Sequence, residues 1–315
     1  MDYRGAGYSR EPVSPPAILP ASDAAIAEAA RLIAASQPVA MPTETVYGLA
    51  ADATNAAAVA RIYAAKGRPS FNPLIVHVAD LAAAKRIGVF GDAALTLAKA
   101  HWPGPLTLVV PHRADSGIAA IVTAGLPTIA LRVPAHPAMQ ALLAATGKPL
   151  AAPSANASGK ISATRAEHVA ASLGDRIALI IDGGPCARGL ESTIVAATGG
   201  ALRLLRRGPI EIDAAEESRG IEAPGQLESH YAPAKPLRLD ATNANNDEYH
   251  IGFGPIPGDA SLSPTGDPVE AASRLFDLLH RADAAPHLKI AVAPIPGDAL
   301  AAAIRDRLKR AAAPR

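Results

Sequence analysis

The chain has 315 residues, of which 49% are hydrophobic and 19% are charged. This composition excludes a wholly disordered chain, and the length predicts about two domains, each able to bury a core. Thirty basic and twenty-nine acidic residues give a net charge of +1, which excludes a polycation built to coat nucleic acid or an anionic membrane. Aromatic residues make up only 3% of the chain, so a protein that stacks single-stranded bases is disfavoured.

Residues 1–20 are rich in Pro, Gly and Ser and are predicted to form a flexible N-terminal arm. From Ser22 the sequence SDAAIAEAARLIAAS has the apolar spacing of an amphipathic helix, with Ser22 as its N-cap. Short apolar runs then alternate with helical segments, which indicates an α/β domain with at least six strands over residues 21–207. The predicted strands are 39–41, 74–78, 106–110, 129–133, 177–181, 192–196 and 202–205, and the predicted helices are 55–66, 136–146 and 164–174.

The regular pattern stops near Gly208. Residues 208–236 form a predicted linker that is far longer than the usual connection of about 4 to 6 residues, so it is either disordered or functional. A second unit follows at residues 237–315, and it is predicted to be a small α/β domain. Its predicted strands are 248–254 and 288–295, and its predicted helices are 268–283 and 298–313.

No apolar run is long enough to predict a membrane span, so we expect a soluble protein. The first residues, MDYRGAGYSREP, lack the apolar stretch of a secretory signal. The one cysteine, Cys186, can form neither an internal disulfide nor a cysteine-based zinc site. The expected location is the cytoplasm.

Short polar segments flank the strands of the first domain. Each one alone is compatible with an ordinary turn or a solvated helix end, but together, with several Lys and Arg residues among them, they predict a pocket for a polyanion at the ends of the strands. These segments are PTETVYGL (42–49), KGRPSFNP (66–73), PSANASGKIS (153–162), GLEST (189–193) and LRRGP (205–209).

Residues 153–162 have small hydroxyl and amide side chains before a helix, which suits a phosphate cradle, although the segment is not a Walker-type loop. No nucleophile elbow surrounds Ser154, and Cys186 has no recognisable base partner. His77 lies inside an apolar run without the spacing of a zinc site, so it is either a core histidine or a ligand contact.

In this order and spacing, the motifs resemble the threonylcarbamoyl-AMP synthase family in its long form. The resemblance covers most of residues 24–310, and it implies an α/β fold with a YrdC-like twisted mixed sheet and flanking helices, followed by a small Rossmann-like α/β domain. The motifs are PTETVYGLAADA, KGRPSFNPLIVHV, WPGPLTLV, TIALRVPAHP, PSANASGKISAT, GLESTIV, LRRGPI, HYAP, AVAPIP and AIRDRLKRAA.

The resemblance implies a nucleotidyltransferase that forms L-threonylcarbamoyladenylate and pyrophosphate from L-threonine, bicarbonate and ATP. Its product would feed the threonylcarbamoyladenosine modification of tRNA through a downstream threonylcarbamoyl transferase complex. Neither a membrane nor a stable nucleic-acid complex is expected. Mg²⁺ is expected as a cofactor that bridges the phosphates of ATP, with no metal site built by the protein itself.

The resemblance also implies roles for single residues. Those expected to be catalytic are Lys66 and Arg68. Those expected to contact ATP are Arg68, Asn72, Thr128, Ser154, Asn156, Ser162, Arg206 and Tyr231. Those expected to hold L-threonine or its carbamate are Thr45, His77, Arg132, Ala152 through its backbone, and Ser192. The fork of Arg132 suits the threonine carboxylate because it can bind both oxygens.

The linker departs from the family. The family often has PGMKY or PGMRY before HYAP, whereas this chain has PGQLESHY at 224–231, without the basic residue and the first aromatic ring. We expect residues 208–235 to fold across the mouth of the cavity and to shield the carbamate from water.

Three other functions remain open. A nucleic-acid-binding module is one, because relatives of the YrdC-like domain present a basic concave surface, although the low net charge and scarce aromatic residues weigh against it. An enzyme that uses carbamoyl phosphate, like the related domain of hydrogenase maturation factors, is another, but the accompanying zinc-finger and acylphosphatase-type modules are missing. A regulatory domain with a decayed site is the third, and the intact cationic and hydroxyl positions weigh against it.

Overall fold

The computed structural model describes residues 15–217, 220, 222–224 and 230–314. Most of the predicted N-terminal arm, residues 1–14, lies outside the described residues. The same holds for residues 225–229, which carry most of the unusual linker sequence.

Strands of the first domain form one large mixed sheet, in which parallel and antiparallel neighbours both occur. Across the sheet the order is β1-β8-β2-β3-β7-β4-β6-β5-β9-β10-β11. In chain order the strands are β1 (Ala17–Pro20), β2 (Val39–Met41), β3 (Gly48–Asp52), β4 (Ile75–His77), β5 (Leu106–Pro111), β6 (Thr128–Arg132), β7 (Leu150–Ala151), β8 (Leu179–Asp182), β9 (Thr193–Ala196), β10 (Arg203–Arg206) and β11 (Ala215–Glu216).

Helices cover both faces of this sheet, which explains why its strands read as continuous apolar runs. Because strand side chains alternate, Val39 and Met41 pack with α1 and α6 on one face, and Ala40 packs into the larger core on the other. The helices are α1 (Asp23–Ala34), α2 (Ala56–Lys66), α3 (Leu81–Ile87), α4 (Asp92–His101), α5 (Ala120–Thr123), α6 (Pro137–Thr146) and α7 (Ala166–Leu173).

The second domain is a parallel sheet in the order β12-β15-β13-β14, with two helices packed on it. The predicted fold, a mixed α/β sheet followed by a small Rossmann-like α/β domain, is therefore confirmed. Its elements are β12 (Leu237–Arg238), β13 (Glu248–Gly252), β14 (Ala260–Ser261), α8 (Pro268–Ala284), β15 (Lys289–Val292) and α9 (Leu300–Ala312). Among the described residues, no helix combines the length and the apolar character that crossing a bilayer requires.

Several elements differ from the sequence predictions. Residues 17–20, assigned to the flexible arm, instead form β1, which pairs in parallel with β8. A four-residue run is too short to show the alternating pattern of a strand, so β1 is recognised only from its pairing with β8. The GLAAD segment of β3 lacks the β-branched residues that favour strands. The linker also begins as ordered structure, because β11 pairs with β10.

The two domains are in direct contact. Val46 and Leu190 of the first domain share an apolar cluster with α8 and α9. His168 of α7 stacks on His280 of α8 with 3.9 Å between the ring centroids. Gly189 sits with φ of +65° against the backbone of α8, where a Cβ atom would lie 2.3 Å from the carbonyl oxygen of Ala272.

This close approach predicts different effects for two glycine substitutions in one loop. Gly184 also has a positive φ, +77°, but a Cβ there meets no atom within 4 Å. We expect Gly184→Ala to lower the free energy of unfolding by about 1–2 kcal/mol through backbone strain alone. Gly189→Ala should lower it by a further ~1–3 kcal/mol, because α8 must also move. Urea unfolding followed by circular dichroism measures both, and equal losses would contradict a tight contact at Gly189.

Candidate functional site

A small cavity of about 50 Å³ lies where the polar segments at the strand ends meet. It gathers residues that are far apart in the sequence, and most of the predicted site residues are among them. Those that line it are Thr45, Arg68, His77, Arg132, Ala152, Ser154, Ser192, Arg206 and Tyr231.

Strand pairing accounts for this convergence. β4 and β6 run parallel with His77 opposite Arg132, so the last residue of each strand reaches the same edge of the sheet. Arg206 ends β10, and Ser192 immediately precedes the neighbouring strand β9. The edge of the sheet therefore carries two guanidinium groups, an imidazole and a hydroxyl side by side.

Arg132 is held by three acceptors. Its Nη2 donates to Oε1 of Glu44 at 2.6 Å, its Nη1 to the Thr45 hydroxyl at 2.9 Å and its Nε to the Gly104 carbonyl at 3.2 Å. Burial opposes ionisation of Glu44, but the charge and hydrogen bond of Arg132 outweigh it and lower the pKa of this carboxyl below its usual value. A guanidinium has five N–H groups, so these three hydrogen bonds leave two N–H groups of Arg132 without an acceptor among these contacts.

Thr43 fixes the loop that carries Thr45. Its hydroxyl donates to the Val46 carbonyl at 2.6 Å and accepts from the backbone N–H groups of Thr45 and Val46. Because its one proton is used, the Thr45 hydroxyl, 2.8 Å away, is the donor in the contact between the two threonines. The oxygen of Thr45 is thereby turned towards Arg132.

The two cations of the KGR segment have different surroundings. Lys66 is buried and donates to the carbonyls of Ser154 and Asn156, so it fastens the 153–162 loop to the end of α2 and does not line the cavity. Burial lowers the pKa of Lys66 well below its usual value. Arg68 lines the cavity and donates to the Pro73 carbonyl at 2.9 Å, and burial lowers its pKa to about 10.

Arg206 is braced in a similar way. Its Nε donates to the carbonyl of Ser192 at 3.0 Å and its Nη2 to the hydroxyl of the same residue at 3.1 Å. The Ser192 hydroxyl also lies 2.7 Å from that of Thr107 on β5. The guanidinium is therefore fixed in place before any ligand binds.

Unpartnered polar atoms are concentrated around this cavity. Of the eight buried side-chain nitrogen and oxygen atoms without a hydrogen-bond partner in the described part of the chain, six belong to residues in or next to it. Such atoms are expensive to bury, so their clustering indicates a site prepared for a polar ligand. They are both ring nitrogens of His77, Nδ1 of His230, the hydroxyl of Tyr231, and Oδ1 of Asn72 and of Asn156.

The remaining predicted residues lie further out. Ser162 does not line the cavity itself. Its hydroxyl donates to Oε1 of Glu191, which is a lining residue, at 2.5 Å. Thr128 begins the strand that Arg132 ends, so about 13 Å of extended chain separates them, and Thr128 does not line the cavity. Its predicted ATP contact stays a prediction.

The linker forms one wall of the cavity, through Pro224, His230 and Tyr231. It is anchored on one side by Glu222, which accepts both ends of the Arg203 fork at 2.7 Å, and on the other by the Ala232 N–H, which donates to the Gly159 carbonyl. Sequence reasoning missed His230 and Glu191 as lining residues, although both lie within the HYAP and GLEST motifs.

The cavity is cationic. Arg68, Arg132 and Arg206 line it, and the one carboxylate that lines it among the residues whose structure is described, Glu191, is paired with Arg307 at 2.9 Å. Within the described ranges, no group of three or more His, Cys, Asp or Glu side chains is placed to hold a metal ion. The surplus of positive charge suits a phosphate-rich ligand.

The unpaired imidazole of His77 predicts an unusual response to substitution. Burial and Arg132 lower its pKa well below the usual value, so the ring is neutral at pH 7. His77→Leu should raise the free energy of unfolding by about 1 kcal/mol, because it removes an unsatisfied buried group. His250→Leu is the matched control and should lose about 1–3 kcal/mol, since it strips the Ala241 carbonyl of its partner at 3.0 Å. Urea unfolding at pH 7 distinguishes them, and a loss in both would show that His77 is satisfied.

Two protein-family models match the chain. Residues 31–208 match the family model for Sua5, YciO and YrdC proteins, described as "Telomere recombination". Residues 190–313 match the model described as "Threonylcarbamoyl-AMP synthase, C-terminal domain".

Curated relatives carry the same name as the second model. The chain is 47% identical over 236 residues to threonylcarbamoyl-AMP synthase of Bacillus subtilis, an alignment that covers 70% of this chain and 68% of that protein. It is 43% identical over 225 residues to threonylcarbamoyl-AMP synthase of Pyrococcus abyssi, with 65% of each covered. The matches thus span about two thirds of these relatives' lengths.

Solved structures extend the likeness to both domains. The crystal structure of P. abyssi Sua5 complexed with L-threonine matches with a TM-score of 0.84 and 33% identity, covering 94% of this chain and 97% of that one. The structure of E. coli YciO, at 20% identity and a TM-score of 0.56, shares the fold over 63% of this chain and 98% of its own. With two family models, close curated relatives and a solved two-domain structure in agreement, the chain belongs to the threonylcarbamoyl-AMP synthase family.

Proposed function

We propose that this protein synthesises L-threonylcarbamoyladenylate from L-threonine, bicarbonate and ATP, with release of pyrophosphate. The observation that carries the proposal is the convergence of Arg68, Arg132 and Arg206 on one small cavity, around which buried polar atoms without partners are concentrated. Family membership and the threonine complex of the P. abyssi relative support it.

The threonine side of the cavity centres on Arg132. Its two remaining N–H groups suit a carboxylate, and the Glu44 pair keeps the guanidinium in a fixed plane. His77 is neutral and has both ring nitrogens available, so it can donate to one polar group of the amino acid and accept from another. Thr45 and Ser192 supply hydroxyls on either side.

The nucleotide side centres on Arg68 and Arg206, whose charges suit the phosphates of ATP. Tyr231, whose hydroxyl has no hydrogen-bond partner, lines the same cavity. Mg²⁺ is proposed to enter with ATP, held by phosphate oxygens and water, because Glu44 and Glu191 are both committed to arginines. Its contribution when bound is to neutralise phosphate charge.

The proposed reaction passes through an unstable carbamate, so it requires a site that excludes water. Threonine's amine adds to the carbon of bicarbonate, water leaves, and an oxygen of the resulting carbamate attacks the α-phosphorus of ATP, expelling pyrophosphate. A carbamate decomposes readily in water, so the site must keep it dry and next to ATP until attack occurs. Positioning and charge neutralisation suffice for such a phosphoryl step, which fits a site of Arg, Ser and Thr residues without a nucleophilic triad.

The linker wall supports the proposed shielding role of residues 208–235, since three of its described residues line the cavity. We further propose that the product passes, in the cytoplasm, to a threonylcarbamoyl transferase complex that acts on tRNA. No stable complex with nucleic acid is needed for this step.

Pyrophosphate release tests the assignment directly. We expect release to require ATP, L-threonine and bicarbonate together. Arg68→Ala should reduce it by roughly 100-fold while the far-ultraviolet circular dichroism spectrum is unchanged, because a preorganised charge on the phosphates is lost. Arg61→Ala, which removes an exposed arginine of the helix that precedes Arg68, is the control and should retain wild-type release. Release without threonine, or full activity of Arg68→Ala, would refute the proposal.

Tyr231→Phe isolates the contribution of one hydroxyl. The ring packs at 5.6 Å from Phe276 and keeps that contact after substitution, and the hydroxyl has no partner to lose. We therefore expect the free energy of unfolding to rise by up to about 1 kcal/mol, for the same reason as in His77→Leu, and the KM for ATP to rise about 3- to 10-fold.

Tyr63→Phe provides the contrast. Its hydroxyl lies 3.0 Å from the Asn72 carbonyl, so this variant should lose about 1 kcal/mol of stability. Thermal unfolding of both variants measures the change in stability, and initial-rate kinetics measures their KM for ATP. A KM for ATP that stays at the wild-type value in Tyr231→Phe would remove Tyr231 from the nucleotide contacts.

A further inference from the structure

Helix α9 of the C-terminal domain places one charged side chain directly behind the wall of the cavity, in contact with the lining residues Glu191 and Tyr231. Arg307 is completely buried, at 0% exposure. Its Nε donates to Oε2 of Glu191 at 2.9 Å, its Nη2 to the carbonyl of Arg207 at 2.8 Å and its Nη1 to Asp306 at 2.8 Å. A cation from the small domain is thus bonded to two residues of the large domain.

Glu191 is the residue through which this cation meets the site. It lines the cavity, and its two oxygens have different partners: Oε1 accepts from Ser162 and Oε2 from Arg307. Burial opposes its ionisation, yet Arg307, Arg206 and the Ser162 hydroxyl together lower its pKa below the usual value. Glu191 is therefore an anion inside a cavity suited to phosphates, and Arg307 supplies its counter-charge.

Arg307 also borders the linker wall. Its guanidinium carbon lies 5.4 Å from the centre of the Tyr231 ring, which packs against Phe276 of α8 on another side. The contact is of the cation–π type, and it holds a ring that lines the cavity. Two helices of the C-terminal domain thereby support both an anion and an aromatic ring of the site.

We propose that Arg307 is a positioning residue through which the C-terminal domain keeps the nucleotide side of the cavity cationic. The inference rests on the proposed function, because ATP is the ligand concerned. Without Arg307, Glu191 still feels the charge of Arg206, which is held by Ser192 in the present arrangement. A carboxylate left in that position would either draw Arg206 away from the phosphates or repel them directly.

Removing Arg307 alone should weaken ATP binding, whereas removing the charge of Glu191 as well should largely restore it. Arg307→Met leaves Glu191 uncompensated, and we expect the KM for ATP to rise roughly tenfold while the KM for threonine stays within about twofold. Adding Glu191→Gln removes the stranded charge and keeps an oxygen for Ser162. The double variant should recover most of the lost ATP affinity.

Two more variants complete the test. Arg307→Lys retains the charge without the planar fork and should fall between the wild type and Arg307→Met. Lys309→Met, an exposed cation on the same helix, is the control and should match the wild type. Calorimetric titration with ATP and thermal unfolding accompany the kinetics, so nucleotide binding is measured independently of turnover.

Several results would overturn the proposal. An unchanged ATP affinity in folded Arg307→Met, or a double variant no better than Arg307→Met, removes the electrostatic role. Failure of both variants to fold reduces Arg307 to a structural residue. If the wild type binds ATP but releases no pyrophosphate with threonine and bicarbonate, the proposed function fails, while the calorimetric comparison still decides the role of Arg307.

Discussion

Buried guanidinium groups are the constraint on which this site depends. Arg68, Arg132, Arg206 and Arg307 are each withdrawn from water, and a charge so placed is tolerated only when its N–H groups have acceptors. The fold provides them as backbone carbonyls where regular elements end, together with two glutamates. The same hydrogen bonds that stabilise the buried cations also hold them rigid, so they need little reorganisation when the phosphate charge of a ligand arrives.

The cavity is also far too small for its proposed contents. At about 50 Å³ it falls well below the roughly 300–1,000 Å³ of typical ligand pockets, so a nucleotide can enter only if part of the wall moves. The first domain's wall combines strand ends with loop residues such as Thr45 and Ser154, and Pro224, His230 and Tyr231 of the linker complete it. This completion fits the proposed role of residues 208–235 in excluding water from the carbamate.

Much of this arrangement could be predicted from sequence. Long apolar runs such as LTLVV become strands because their composition and length leave no alternative, and the polar segments beside them meet because strand ends share an edge. Local pattern does not tell which cation of the KGR segment faces the cavity, since that depends on the 153–162 loop packing beneath α2. Nor does it reveal the pairing of Glu191 with Arg307, which are 116 positions apart and belong to different domains.

Tyr231 packs against α8 and α9, so the wall that it forms in the cavity depends on the folded smaller domain. Partial melting of that domain alone would uncover the cavity while the large sheet stayed native. Activity should then be lost under mild heat or denaturant before the whole protein unfolds, because the smaller domain unfolds first.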